Sequence, residues 1–393
     1  MGFRRRVTDP AAPSAIPPVS APVLARSDLP DLANFRDTNG HAVSFFFSLQ
    51  SIPDKSHHTE VILVRDLVRE ELHQIDTRKA PGLAEDMEAV LMQAEEVREN
   101  PRYWRISYAC HRQGYWRKFE LPAPKPIRQL HVGGRFLLAP MFWALNFCTP
   151  YGVLIFERGR ARIFVVRGFQ IQEFNGRLPK ENITLHVRAS RSDSEKHREH
   201  HLEGYVRAYC KELAEKVRVF LANEKLHEMV FGCREDLWGE AKPEFADFEK
   251  GVLIGRFVPS GYEMPAADVR VATYPIFEEN RRKSGVALLE KIGEEPAHGA
   301  VGVNAVMERL IEGRVQKLML GRPVDGAVDE CDHCGRVQPP TDGPCMFCGN
   351  TSLHSLEADE GLIRQAVLTD AEILTFDVDE VPGFTGAAAL LRY

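Results

Sequence analysis

The apolar positions of this chain change period repeatedly, and each change marks an element. Val61, Val64, Leu67, Val68 and Leu72 fall at helical spacing within residues 60–74, and a second helix is expected over 83–99. Before them, Val43-Ser44-Phe45-Phe46-Phe47-Ser48-Leu49 reads as a strand. After them, residues 104–110 and 115–121 read as strands joined across His111–Gly114 as a hairpin, which the run Pro122-Ala123-Pro124-Lys125-Pro126 stops. A second apolar hairpin is expected from Tyr151-Gly152-Val153-Leu154-Ile155-Phe156, a turn at Glu157-Arg158-Gly159-Arg160, and a return over 161–166. A polar stretch over 172–194 leads to a long helix over 195–223, with Ser192 and Glu195 spaced as a capping box, and then to a strand over 228–231. Pro243, Pro259 and Pro265 mark loops. Further on, helices over 278–292 and 300–312, a strand over 317–320, a helix over 359–369 and a strand over 373–376 complete the pattern.

Helices and strands that alternate in this way imply an α/β fold, an α+β multi-domain chain. The expected division is a disordered Pro/Ala-rich leader over 1–38, an α/β domain over 39–147, a central domain over 148–273, and an α/β sandwich over 274–393 with a small lobe inserted at 328–353. At 393 residues, 44% hydrophobic and 27% charged, the chain is long enough for several cores. The longest apolar candidate, residues 136–147, is too short for a membrane span and holds Pro140 and Asn146. The first residues, Met1-Gly2-Phe3-Arg4-Arg5-Arg6, lack an apolar signal region and a myristoylation serine, so cytoplasmic residence is expected, with no membrane partner.

Cys331, Cys334, Cys345 and Cys348 form C-x2-C-x10-C-x2-C, in which two tight turns offer four thiolates to one tetrahedral zinc. Sulfur fills all four positions, so the expected zinc is structural and activates no water. Gly335 and Gly349 follow the two turns, where the backbone must bend around the metal. A pair of disulfides is the competing reading, disfavoured where thiols stay reduced. Cys110, Cys148, Cys210 and Cys233 are scattered singly in apolar or helical contexts and read as small buried hydrophobes.

The formal net charge of −6 argues against a protein that coats nucleic acid such as DNA nonspecifically, but the charge is unevenly spread. Between 101 and 135 stand Arg102, Arg105, Arg112, Arg117, Lys118, Lys125, Arg128 and Arg135 against the single acid Glu120, interleaved with Tyr103, Trp104, Tyr108, Tyr115, Trp116 and Phe119. Cations that neutralise phosphates beside flat rings that accept unstacked bases make an RNA surface. A half-buried strand with one solvated face is the plainer reading of Tyr115-Trp116-Arg117-Lys118-Phe119. Residues 357–380 reverse the balance, with Arg364 alone among eight acids, so the C-terminal lobe should face protein or solvent.

Several stretches resemble the archaeal and eukaryotic class-1 release factor and Pelota superfamily, in its bacterial, Balon-like branch. The hairpin over 151–166 is similar to that family's central-domain opening, and residues 195–209, with Glu195-Lys196-His197, to its basic, His-bearing helix. Glu312-Gly313-Arg314-Val315 within 300–320 resembles the third domain's helix-to-strand step, and Ala388-Ala389-Leu390-Leu391-Arg392-Tyr393 its closing strand. Across residues 40–393 the resemblance implies a decoding-centre domain, a ribonuclease-H-like central domain, and a third domain that binds a translational GTPase, elongation factor Tu being the candidate. It implies a ribosomal A-site factor acting on stalled or idle ribosomes, with rRNA contacts at Arg102, Arg105, Arg112, Trp116, Arg117, Lys118, Arg188, Arg191, Lys196, His197 and Arg198. The Gly-Gly-Gln loop with which the family hydrolyses peptidyl-tRNA has no counterpart. The stretch 185–194 holds neither Gly nor Gln, and Gly133-Gly134 is followed by Arg135.

Two other classes compete. A peptidyl-tRNA hydrolase or ribonuclease would use His186 or the cluster His197, His200 and His201 as general base. A metal on His197 and His201, one helical turn apart, lacks the ordering of a zinc hydrolase. A zinc-stabilised scaffold that never meets RNA is the third reading.

Overall fold

The computed structural model describes residues 28–48, 56–75, 82–95, 103–122, 125–174 and 195–393. The chain is mixed α/β, as expected, with four sheets among the described residues. The first sheet has the order β3-β2-β1-β4, from β1 (Ala42–Phe47), β2 (Tyr103–Cys110), β3 (Tyr115–Pro122) and β4 (Arg128–Gly133), all pairs antiparallel. Strand β1 is buried along its whole length, because the sheet is covered on both faces. Val43, Phe45 and Phe47 meet Val64, Val68, Met87 and Val90 of α2 (Ser56–Gln74) and α3 (Leu83–Glu95). Ala42 and Phe46 point the other way, into a core that also holds Leu32, Phe136, Met141, Leu318 and Leu362.

That second core joins the first sheet to the C-terminal part of the chain. Helix α1 (Asp28–Asn34), with Leu32 and Ala33 buried, and α4 (Ala139–Leu145) pack there against α9 (Ala358–Leu368). Within the leader expected over 1–38, residues 28–34 are helical instead, because α9 receives the two apolar residues of α1, and Phe35 stacks on Phe136 at 4.2 Å; residues 1–27 lie outside the described residues.

The central sheet has the order β7-β6-β5-β8-β9, from β5 (Tyr151–Glu157), β6 (Arg160–Arg167), β7 (Gln170–Glu173), β8 (Met229–Gly232) and β9 (Leu253–Phe257). The first three strands form an antiparallel meander, and β8 and β9 add parallel to β5. This is the ribonuclease-H-like arrangement. Helix α5 (Glu195–Glu224) lays Val206, Tyr209, Leu213 and Val217 on one face, beside the short α6 (Glu235–Ala241), and α7 (Ala266–Glu294) covers the other with Val269 and Phe277. At 29 residues, α7 is about 44 Å long. It begins 12 residues before the helix expected over 278–292 and runs unbroken through the boundary expected at 273/274, carrying Pro275 inside it.

The third sheet has the order β10-β16-β11-β15, from β10 (Gly299–Val301), β11 (Val315–Gly321), β15 (Glu372–Phe376) and β16 (Gly386–Leu391), flanked by α8 (Val303–Ile311) and α9. Strands β11 and β15 are parallel, and their connection contains a three-stranded antiparallel lobe of order β13-β12-β14, from β12 (Ala327–Cys331), β13 (Val337–Gln338) and β14 (Leu353–Glu357). The lobe is thus an insertion between a strand and a helix, as its place in the sequence pattern implied.

Candidate metal centre and nucleic-acid interface

The two Cys turns are built alike. Gly335 N–H donates to Cys331 O at 2.8 Å and Gly349 N–H to Cys345 O at 2.8 Å. Each turn closes on a glycine at φ +69° or +72°, a left-handed conformation costly for other residues. Cys331 N–H then bonds Arg336 O at 3.1 Å, and Cys345 N–H bonds Asn350 O at 2.8 Å. The four sulfurs converge within 4.8 Å of one another. Cys331 and Cys348 stand 3.6 Å apart and Cys334 and Cys345 3.7 Å, close to the roughly 3.8 Å edge of a tetrahedron with Zn–S bonds of about 2.3 Å. A disulfide needs about 2.05 Å, and all four cysteines are free. The donor set fits a metal ion. Burial raises both the Cys334 and Cys345 thiols, but at Cys345 the N–H groups of Phe347 and Cys348 outweigh it and hold that thiol down to about 7, while Cys334 is pushed up to about 12.

The single cysteines behave as the hydrophobes they resemble. Burial pushes Cys148 and Cys210 up to about 12 and Cys233 to about 11, and it raises Cys110.

The basic-aromatic stretch divides in two. Arg105 is buried in β2, opposite Glu120 in the ladder, with its Nε 3.4 Å from the carboxylate. It is removed from the RNA-facing set: a charge this deep stays only because an acid neutralises it. The hairpin tip is the reverse. His111, Arg112, Gln113, Trp116 and Arg117 are exposed, around a single turn of 3-10 helix that ends on Gly114 at φ +63°. Arg117 lies over the Tyr115 ring at 5.2 Å, and Lys118 is half-buried. Arg102, Arg188 and Arg191 lie outside the described residues. Lys196, His197 and Arg198 stand on the first turn of α5, and their side chains lie outside the described set, as do those of His200 and His201.

Several surface cations elsewhere are tied down. Around the central sheet Arg158 pairs with Glu240 at 2.7 Å, Arg160 with Glu157 at 2.7 Å, Arg207 with Glu244 at 2.9 Å and Arg256 with Glu235 at 3.0 Å. Sequence reading missed a buried pair behind the hairpin, Glu360 and Arg364. One Glu360 oxygen accepts from Leu138 and Ala139 N–H at 2.7 and 2.8 Å, and the other from Arg364 at 2.6 Å. Arg364 also donates to Ala33 O at 3.0 Å and Phe136 O at 2.8 Å. Their i,i+4 spacing on a helix was the available signal.

No protein-family model and no curated protein matches the sequence. Among solved structures, the chain is similar to an archaeal translation termination factor, at 14% identity over 94% of this chain and 99% of that one, with a TM-score of 0.25. It is similar to ribosome-bound archaeal Pelota, described together with ABCE1, at 15% identity over 74% and 78%, with a TM-score of 0.40. Archaeoglobus fulgidus Pelota gives 12% identity over 94% and 93%, with a TM-score of 0.32. Among the described residues no helix is long and apolar enough to cross a membrane.

Proposed function

We propose that this protein is a ribosome-binding translation factor that occupies the A site of stalled or idle ribosomes, in rescue or hibernation, and does not hydrolyse peptidyl-tRNA. The observation that carries the reading is the hairpin tip, where Arg112, Trp116 and Arg117 stand exposed on a sheet held rigid by cover on both faces. Exposed guanidinium groups beside an exposed indole suit phosphate neutralisation and base stacking on irregular RNA. The ribosomal target follows from the resemblance set out above, whose ribonuclease-H-like expectation agrees with the central sheet. Hydrolysis is disfavoured by the residues themselves: 185–194 holds no Gly or Gln. The parallel strands β5 and β8 read Tyr-Gly-Val-Leu-Ile-Phe-Glu and Met-Val-Phe-Gly, with Glu157 their single acid, and Arg160 occupies that carboxylate. Metal-assisted phosphodiester cleavage needs several converging carboxylates. The four-cysteine lobe takes a structural zinc, and the acidic third domain is the surface offered to a GTPase such as elongation factor Tu.

Co-sedimentation with vacant ribosomes across a salt series tests the interface. Replacing Arg112 and Arg117 by Ala should weaken binding and flatten the dependence of log affinity on log salt by about 0.7–0.9 for each phosphate left without its cation. Trp116→Ala should cost about 1–3 kcal/mol with little change in slope. Unchanged affinity and slope in the triple variant would remove the hairpin from the interface.

A further inference from the structure

We infer that the four-cysteine lobe positions the hairpin tip, through Arg36, Asp37 and Arg135, so that metal occupancy controls how well the tip holds RNA. This rests on the proposed RNA contact for its functional consequence, though not for the coupling itself. The first Cys turn presents its backbone carbonyls to two arginines. Arg36 donates to Asp332 O and, at 3.1 Å, to His333 O. Arg135 donates to Gly335 O at 2.8 Å and to the buried Glu330 carboxylate at 2.5 Å. Both guanidinium groups lie against the bare Cα of Gly335, where a methyl group would collide with Arg135 and crowd Arg36. Three carbonyls point at two side chains only while the turn is closed, and in a small lobe held by four cysteines metal binding and turn closure are one equilibrium. The lobe is thus a two-state element, the physical requirement for coupling between sites.

From the arginines the contacts continue to the hairpin. Gln113 donates to Arg36 O and to Asp37 Oδ1, both at 3.0 Å, and Arg112 stands 3.9 Å from the same carboxylate oxygen. Asp37 N–H bonds Gly134 O at 2.8 Å, which ties the two arginine-bearing segments together. Phe35 and Phe136, the chain neighbours of Arg36 and Arg135, pack on Tyr115 at 4.8 and 5.0 Å, and Tyr115 supports Arg117. Arg112 is thus linked to the first Cys turn through Asp37, the chain neighbour of Arg36, and Arg117 through Tyr115 and the two phenylalanines. Opening that turn removes the three carbonyl bonds from one end of the bridge. The large apolar core around Phe46, Met141 and Leu362 remains, so the expected result is a loosened tip and not an unfolded domain.

Hydrogen–deuterium exchange on the zinc-loaded protein, and on the same protein stripped with 1,10-phenanthroline under reducing conditions, tests this without ribosomes. Stripping should accelerate exchange at 331–349 and, by about tenfold, at 34–37 and 108–117, while 151–166 stays unchanged. Arg36→Ala, at a partly exposed position that leaves Arg135 on Glu330 and Gly335 O, should give a faster tip with zinc bound and a clearly smaller further response to stripping, carried by Arg135 alone. Acceleration confined to 331–349 would overturn the coupling, as would a tip in Arg36→Ala that still responds fully. Ribosome sedimentation of the same samples separates the two readings. Coupled exchange with ribosome affinity unchanged by stripping keeps the coupling and rejects the tip as the RNA contact. Absence of ribosome binding by the loaded protein rejects the function, and the exchange data alone then decide the coupling.

Discussion

Arg364→Met removes the centre of the contact between the first sheet and the C-terminal part of the chain. The native guanidinium is 2% exposed and makes three bonds, to Ala33 O, Phe136 O and Glu360. Methionine keeps most of the stem's volume, so the loss is polar and not a cavity. Hydrogen bonds to a charged group contribute about 1.5–3 kcal/mol each, which sets a gross loss of roughly 5–9 kcal/mol. Against this, the variant no longer desolvates a guanidinium, and measured losses on breaking a buried pair cluster near 3–5 kcal/mol. Glu360 keeps the Leu138 and Ala139 N–H groups, so a value near the middle of that range, about 4 kcal/mol, is expected. Calorimetry should show the transition of the shared core lowered by roughly 10 °C, while the transition of the central sheet, whose α5-side core contains none of these residues, moves little. A shift below about 2 °C, or an equal shift in both transitions, would refute the assignment of Arg364 as the pin between these parts.

Other outcomes follow from the same geometry. Cys334→Ser should reduce bound zinc from one equivalent to a small fraction by metal analysis, since metal binding and lobe folding share a free energy on the order of 10 kcal/mol. Full zinc retention would exclude it as a ligand. Gly285→Ala should cost about 1–3 kcal/mol in urea denaturation, because its Cβ would lie 2.7 Å from Phe376 and 2.8 Å from Val381, where α7 crosses the third sheet. The Arg162 fork on Glu173, bonded at 2.8 Å through both nitrogens, holds that carboxyl below its ordinary value of 4.5. A lowered folded pKa contributes stability that is present above the ordinary value and lost as pH falls through the folded one. Acid titration of Arg162→Met should therefore lack the part of the stability loss that wild type shows below about pH 4.5. Coincident curves would remove that pair from the account.

The elements legible in the sequence were those in which pattern and punctuation agree. The β2–β3 hairpin was bounded by Gly114 and the Pro122–Pro126 run, β5–β6 by Gly159, and the four-cysteine lobe by spacing and glycines together. The start of α7 was hidden by Pro275, which reads as a breaker although the helix absorbs it. Helix α1 was hidden because Asp-Leu-Pro-Asp-Leu-Ala-Asn is too short to show a period, and it is ordered by α9, more than 300 residues away. The burial of Arg105 was present in the hairpin register, which sets it opposite Glu120, but composition alone grouped it with the exposed cations. Glu360 and Arg364 were visible as a helical pair within an acidic stretch. Their depth depends on α1 and α4 closing over them, a tertiary fact that no local pattern carries.

The most direct measurement is sedimentation of the zinc-loaded protein with vacant bacterial ribosomes across a salt series, with peptide release from a peptidyl-tRNA complex assayed in the same bound fraction. The account predicts saturable binding that competes with A-site tRNA, weakens steeply with salt, and releases no peptide. Peptide release would contradict the non-hydrolytic reading, and an absence of binding at low salt would contradict the ribosomal one.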